Sequence, residues 1–134
     1  MRPRGIRNYN PGNIRYVEGQ AWVGQVGKDD DGFVEFIAPT YGLRAMARLL
    51  LTYKYVRKFS TVDEIVARWA PDPPGNVEPY SEAVARHLGV HRSDPIDLED
   101  VLPALMDAII WQENGEQPYS SIQIYRAITL AYKK

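Results

Sequence analysis

The spacing of apolar residues divides the chain into a short front part and a long back part. Residues 1–20 show no period. Asn8, Asn10 and Asn13 are interspersed with Gly5, Pro11, Gly12 and Gly19. Asn-Pro-Gly is turn chemistry, because Pro fixes φ and Gly accepts positive φ. An irregular opening is predicted. Two runs rich in Val and aromatics follow, 21–26 and 32–37, carrying Trp22, Phe33 and Phe36. Gly27-Lys28-Asp29-Asp30-Asp31 lies between them, which predicts a β-hairpin with a longer loop.

From Thr40 the period becomes helical. Leu43, Met46, Ala47, Leu50 and Tyr53 place an amphipathic helix over 40–56, with Arg44, Arg48 and Lys54 on its other face. Thr61 and Glu64 have capping-box spacing. The helix they open buries Val62, Ile65, Val66 and Trp69, and Pro71, Pro73 and Pro74 stop it. Asn76 is placed to cap a third helix ending at Gly89. Asp97 is placed to cap a fourth, with Leu98, Val101, Leu102, Leu105 and Ile109 inward, a break near Pro103 and a stop at Gly115. Ser120 with Gln123 opens a fifth, running through Tyr132. The pattern predicts an α+β chain, mostly α: an N-terminal β-hairpin, then about five helices, in one domain over 1–134.

Composition narrows the function. The chain has 134 residues, 45% hydrophobic and 25% charged, enough for one core without staples. Lys plus Arg is 16 and Asp plus Glu is 17, a net charge of −1. That balance argues against a nucleic-acid partner, although residues 40–70 have a helix-turn-helix look. The absence of cysteine excludes a thiol nucleophile, a disulfide scaffold and Cys-based metal sites. No apolar run approaches the roughly 20 residues of a membrane span. The charged start, Met1 to Arg7, leads into no apolar segment, so no secretory signal is expected. His87 and His91 are four apart, but Gly89 lies between them and no acidic residue has ligand spacing. They read as surface residues, and no metal or cofactor is expected. There is no Gly-x-Ser-x-Gly elbow, phosphate loop or dinucleotide fingerprint.

Two clusters remain. Trp111-Gln112-Glu113-Asn114-Gly115 delivers a lone carboxylate to the last turn of an apolar helix. Apolar neighbours and the negative end of the helix dipole both disfavour its charge. Such a carboxyl keeps its proton to higher pH, as a general acid must. Glu113 also reads as a surface residue at a helix end. Asn8 to Arg15 packs three amides and an Arg around a rigid turn. These groups suit sugar hydroxyls and acetamido groups, and equally a turn whose Asn side chains bond their own backbone. Tyr16, Trp22, Tyr41, Tyr80, Tyr119 and Tyr125 lie near turns or helix ends. There they can line a carbohydrate cleft or wedge into the core.

The string Arg4-Gly5-Ile6-Arg7-Asn8-Tyr9-Asn10-Pro11-Gly12-Asn13-Ile14-Arg15 resembles the opening of small phage and prophage proteins labelled virion structural protein. Those typically read Arg-Gly-Ile-Arg-Asn-Asn-Asn-Pro-Gly-Asn-Ile-Arg. The resemblance continues through Trp22-Val23-Gly24, Phe33-Val34-Glu35-Phe36, Gly42-Leu43-Arg44-Ala45, Arg68-Trp69-Ala70-Pro71 and Glu113-Asn114-Gly115, and so covers nearly the whole chain. Tyr9 replaces an Asn of that pattern. Pro73-Pro74-Gly75-Asn76-Val77-Glu78 departs from its usual Glu-Asn-Asp/Asn-Thr before the Tyr matching Tyr80.

A looser resemblance concerns chemistry. Soluble lytic transglycosylases carry Glu-Ser-Gly at the end of a buried helix, the Glu being the acid/base. Flagellar-type glucosaminidases add an Asn-rich segment ahead of a β-hairpin. This chain is similar in both pieces, in the opposite order, as a circularly permuted lysozyme-like fold would place them. The resemblance implies cleavage of peptidoglycan glycan strands, by a virion-associated protein or one delivered to the cell wall. Glu113 would be the acid, with Asn10, Asn13, Arg15, Trp22, Tyr80 and Tyr119 in the substrate cleft. Glu18 and Glu35, near or on the hairpin, are candidates for a second carboxylate. With one, hydrolysis follows; without one, the muramyl 6-hydroxyl attacks and an anhydro product forms. The rival expectation is a non-enzymatic virion structural protein, partnered by other virion proteins.

Overall fold

The computed structural model describes residues 2–71 and 73–133. It holds two strands and six helices among the described residues: α1 (Arg4–Arg7), β1 (Gln25–Lys28), β2 (Val34–Phe36), α2 (Pro39–Tyr55), α3 (Val62–Trp69), α4 (Val77–Leu88), α5 (Leu102–Asn114) and α6 (Ser121–Ala131). The class is α+β, mostly α, with the hairpin ahead of the long helices, as the apolar pattern predicts. No described helix is long and apolar enough to cross a membrane.

The strands pair antiparallel, Gln25 with Phe36, Gly27 with Glu35 and Lys28 with Val34, with a bulge between Gln25 and Gly27. The first strand therefore starts later than predicted. Asp29 closes the loop, its Oδ1 accepting from the backbone of Asp31 and Phe33 at 3.0 Å each. The opening segment runs along the free edge of β2: Arg15 bridges Phe33, and Val34 N–H donates to Ile14 O at 3.0 Å.

α5 is the interior helix. Leu102, Leu105, Met106, Ala108, Ile109 and Ile110 are all buried on it. α2 packs against α5 and α6, and α4 against α3 and α5. One continuous core runs from Ile14 through these helices to Ala131.

The helix ends follow from capping, with corrections. Thr61 accepts from Glu64 N–H as predicted, but the Glu64 carboxylate takes the N–H of Ser60 rather than that of Thr61. Ser120 and Gln123 form the complete capping box. Asn76 stands at the head of α4 without a side-chain cap, because a 3-10 turn over Pro74–Asn76 leads into the helix. Asp97 does not cap α5. It caps a separate turn by accepting from Glu99 N–H at 3.0 Å, and Val101 heads the helix. Pro103 makes no break, since it sits in the first turn, where a missing N–H leaves no bond unmade. The opening is not wholly irregular either, because Arg4–Arg7 forms the single turn α1.

Candidate functional site

The site is built on the loop over 8–15. Asn10 is completely buried. Its Nδ2 donates to the carbonyls of Ile14 and Val34 at 2.9 Å each, and its Oδ1 accepts from Ile14 N–H at 3.0 Å. Both amide protons are thus used inside the fold. Two helices close on the loop. A Cβ on Gly42 of α2 would run into the carbonyl of Tyr9, so only glycine lets the chain lie this close. Trp69 of α3 donates its Nε1 proton to Gly12 O at 3.2 Å.

α5 closes the remaining side. Asn114 is buried and donates through Nδ2 to Pro11 O at 2.8 Å and to Ile110 O at 3.0 Å. Gly5 of α1 lies against the other faces of these amides. A Cβ there would be 2.5 Å from Asn114 Oδ1 and 2.9 Å from Asn13 Oδ1.

This framework presents Glu113, half-buried in the last turn of α5. Asn13, held at φ 51°, donates from Nδ2 to its Oε1 at 2.8 Å. The Tyr80 hydroxyl of α4 donates to its Oε2 at 2.8 Å. Burial pushes the Glu113 carboxyl above the ordinary carboxylate range, and the bonds from Asn13 and Tyr80 oppose the shift. Burial, then the charge of Glu113, push the Tyr80 phenol far up, so Tyr80 stays a donor. The result is a carboxyl gripped on both oxygens that holds a proton more firmly than an exposed one. Such a group can protonate a leaving oxygen.

Asn13, Tyr80 and Glu113 are therefore brought together, across 100 and 33 residues of chain. The other predicted site residues lie elsewhere. Arg15 is exposed, with its guanidinium 4.5 Å over the Phe33 ring, which Arg4 also covers at 4.6 Å. Trp22 packs half-buried against the core ahead of the hairpin. Tyr119 lines a separate cavity with Arg2, Arg7 and Tyr9. Glu18 accepts from the Tyr16 hydroxyl at 3.2 Å. Glu35 lies on the face of β2 opposite the buried Val34 and Phe36. Neither is hydrogen-bonded to Glu113. His87 pairs with Asp107 at 2.8 Å, and His91 Nδ1 with the Ser93 hydroxyl at 2.8 Å.

Asn114 is the residue sequence reasoning passed over. A signal was present: it follows the buried Met106 and Ile110 at helical spacing, and so falls on the apolar face of α5.

Comparison with known proteins bears on the whole of this framework. The chain is 38% identical over 124 residues to Protein P5 of Pseudoalteromonas phage PM2. The match covers 90% of this chain and 77% of that protein. The chain belongs to the family of Protein P5. No family model matches it. Membership in the Protein P5 family makes the chain phage-related, and the match takes in most of the segment from the opening loop to the final helix.

Proposed function

We propose that this phage-related protein cleaves the glycan strands of peptidoglycan, with Glu113 as general acid. The observation that carries this reading is the half-buried Glu113 carboxyl gripped by Asn13 and Tyr80. Glu113 gives its proton to the glycosidic oxygen between N-acetylmuramic acid and N-acetylglucosamine, and the C1–O bond breaks. The muramyl 6-hydroxyl then attacks C1, returns its proton to Glu113, and closes an anhydro ring. This route needs one carboxylate. Hydrolysis, with a second carboxylate such as Glu18 or Glu35 across the cleft, is the other route, and the end group of the released product separates the two. Asn10 serves by holding the loop that aims Asn13. Arg15 and Trp22 are proposed to meet more distant sugars. A circularly permuted lysozyme-like arrangement would explain why the Asn-rich loop and hairpin precede the helix of the acid.

Two observations favour a second reading, a non-enzymatic virion protein. Its relative belongs to a phage, and the Asn10 and Asn114 amide protons are all used in holding the loop. Digestion of purified peptidoglycan separates the two. The wild type is expected to release disaccharide peptides with anhydro ends, detected by mass spectrometry. Glu113→Gln, folded by circular dichroism, is expected to release none. A folded wild type that leaves sacculi of several bacterial species intact would establish the virion-protein reading instead.

A further inference from the structure

A cavity of about 290 Å³ opens beside α1, lined by Arg2, Ile6, Arg7, Tyr9 and Tyr119 together with two prolines. Its size is near the lower end for small-ligand sites, about 300 Å³, and suits a short segment rather than a folded partner. Arg2 is answered by Glu116. Arg7 is exposed, lines the cavity, donates Nε to the Arg2 carbonyl at 2.9 Å and meets no carboxylate among the described residues. Tyr9 is 42% exposed and holds φ at 53°, a left-handed conformation that disfavours a bulky side chain. This exposed ring is part of the cavity lining. Tyr119, half-buried, supplies a second phenol to the lining.

The cavity and the Glu113 site are joined through α1. Gly5 of α1 faces Asn13 and Asn114, while Ile6 and Arg7 of the same turn face the cavity. Pro118, on its wall, follows Glu113 by five residues, which is at most about 18 Å of extended chain. A guanidinium takes a carboxylate through paired N–H donors, and phenol rings flank a chain with apolar faces and a hydroxyl each.

We propose that this cavity is a subsite for the peptide carried by the glycan strand, with Arg7 taking a peptide carboxylate and Tyr9 and Tyr119 flanking the peptide chain. The assignment rests on the glycan-cleavage reading for the origin of the ligand. It is tested by NMR titration of labelled protein with a synthetic stem peptide, L-alanyl-γ-D-glutamyl-diaminopimelate, and with the same peptide amidated at its carboxyl groups. Saturable shifts at the Tyr9 and Tyr119 amides are expected with the acid form. Affinity falls at least tenfold for the amidated form and for Arg7→Gln. Tyr9→Asn, which suits the left-handed backbone and so keeps the fold, also weakens binding several-fold. The assignment is overturned by absent shifts at these amides, by equal affinity for the two peptides, or by acetate saturating the same amides at the same concentration. Peptide binding by a protein that leaves sacculi intact would overturn the glycan-cleavage reading and keep the subsite. Cleavage of sacculi without any peptide response would do the reverse.

Discussion

Glu113 is subject to opposing influences, and their balance sets a pH dependence. Burial raises its carboxyl while Asn13 and Tyr80 pull it back, and the net shift is upward. The folded chain then keeps this proton to higher pH than the unfolded chain, whose carboxyl titrates near the ordinary value of about 4.3. Between that value and the raised one, the native state binds more protons, so stability falls as pH rises through the window. Glu113→Gln cannot ionise. Its melting temperature relative to wild type is expected to increase from pH 4 to pH 7, checked by thermal melts; a difference that stays flat with pH would count against the burial of this group. Glu113 was legible in the sequence because a lone carboxylate in an apolar helix end is chemically conspicuous. Tyr80 was legible only as an aromatic near a turn, since nothing local ties it to a residue 33 positions away. Asn10 was legible in two ways, as a sugar contact and as a turn amide bonding backbone; its two bonds to Ile14 are of the second kind, and with the bond to Val34 they make it fully interior.

At the scale of elements, the contact between α2 and the opening loop decides whether the site forms. Gly42→Ala gains about 1 kcal/mol of helix propensity. It also drives a methyl into the Tyr9 carbonyl, which is backbone and cannot swing aside. Overpacking of this kind costs about 1–3 kcal/mol, so the variant is expected to be net destabilised, read from its denaturation midpoint. A stabilised variant would mean that the loop does not sit on α2. The long helices were legible because their periods and stops are local: Gly89 and Gly115 lie immediately past α4 and α5, both in the left-handed conformation. α1 was not, because one turn is too short to show a period. The Asp97 cap was misplaced because cap chemistry alone does not distinguish a helix from an isolated turn.

Across the whole molecule, Glu99 acts as a clasp. It accepts from Tyr132 past the end of α6, and from Tyr55 and Lys54 at the end of α2, the last at 2.9 Å. These bonds, that of Tyr132 foremost, lower its carboxyl to about 2. A depressed acid contributes stability above its unfolded value and loses it as pH falls through the folded one. Acid unfolding is therefore expected to gain a component between about pH 4.3 and pH 2. Glu99→Gln should be less stable than wild type at pH 7 and should lose less on acidification, followed by circular dichroism. An identical acid slope in both proteins would remove Glu99 from that role. The fold class was legible at this scale because a hairpin followed by helices is a sum of local patterns. The clasp was not, since it joins three places far apart in the chain. The bond from Asn13 to Glu113 joins places still farther apart, 100 residues. At a synthesis rate of about 5–20 residues per second, the ribosome needs about 5–20 s to make that stretch. Throughout that time the opening loop has been made but lacks its final partner. The opening loop is thus made well before the helix that completes its surroundings, and a chain cut short before α5 ends would lack the bonds from Asn114 to Pro11 and from Asn13 to Glu113.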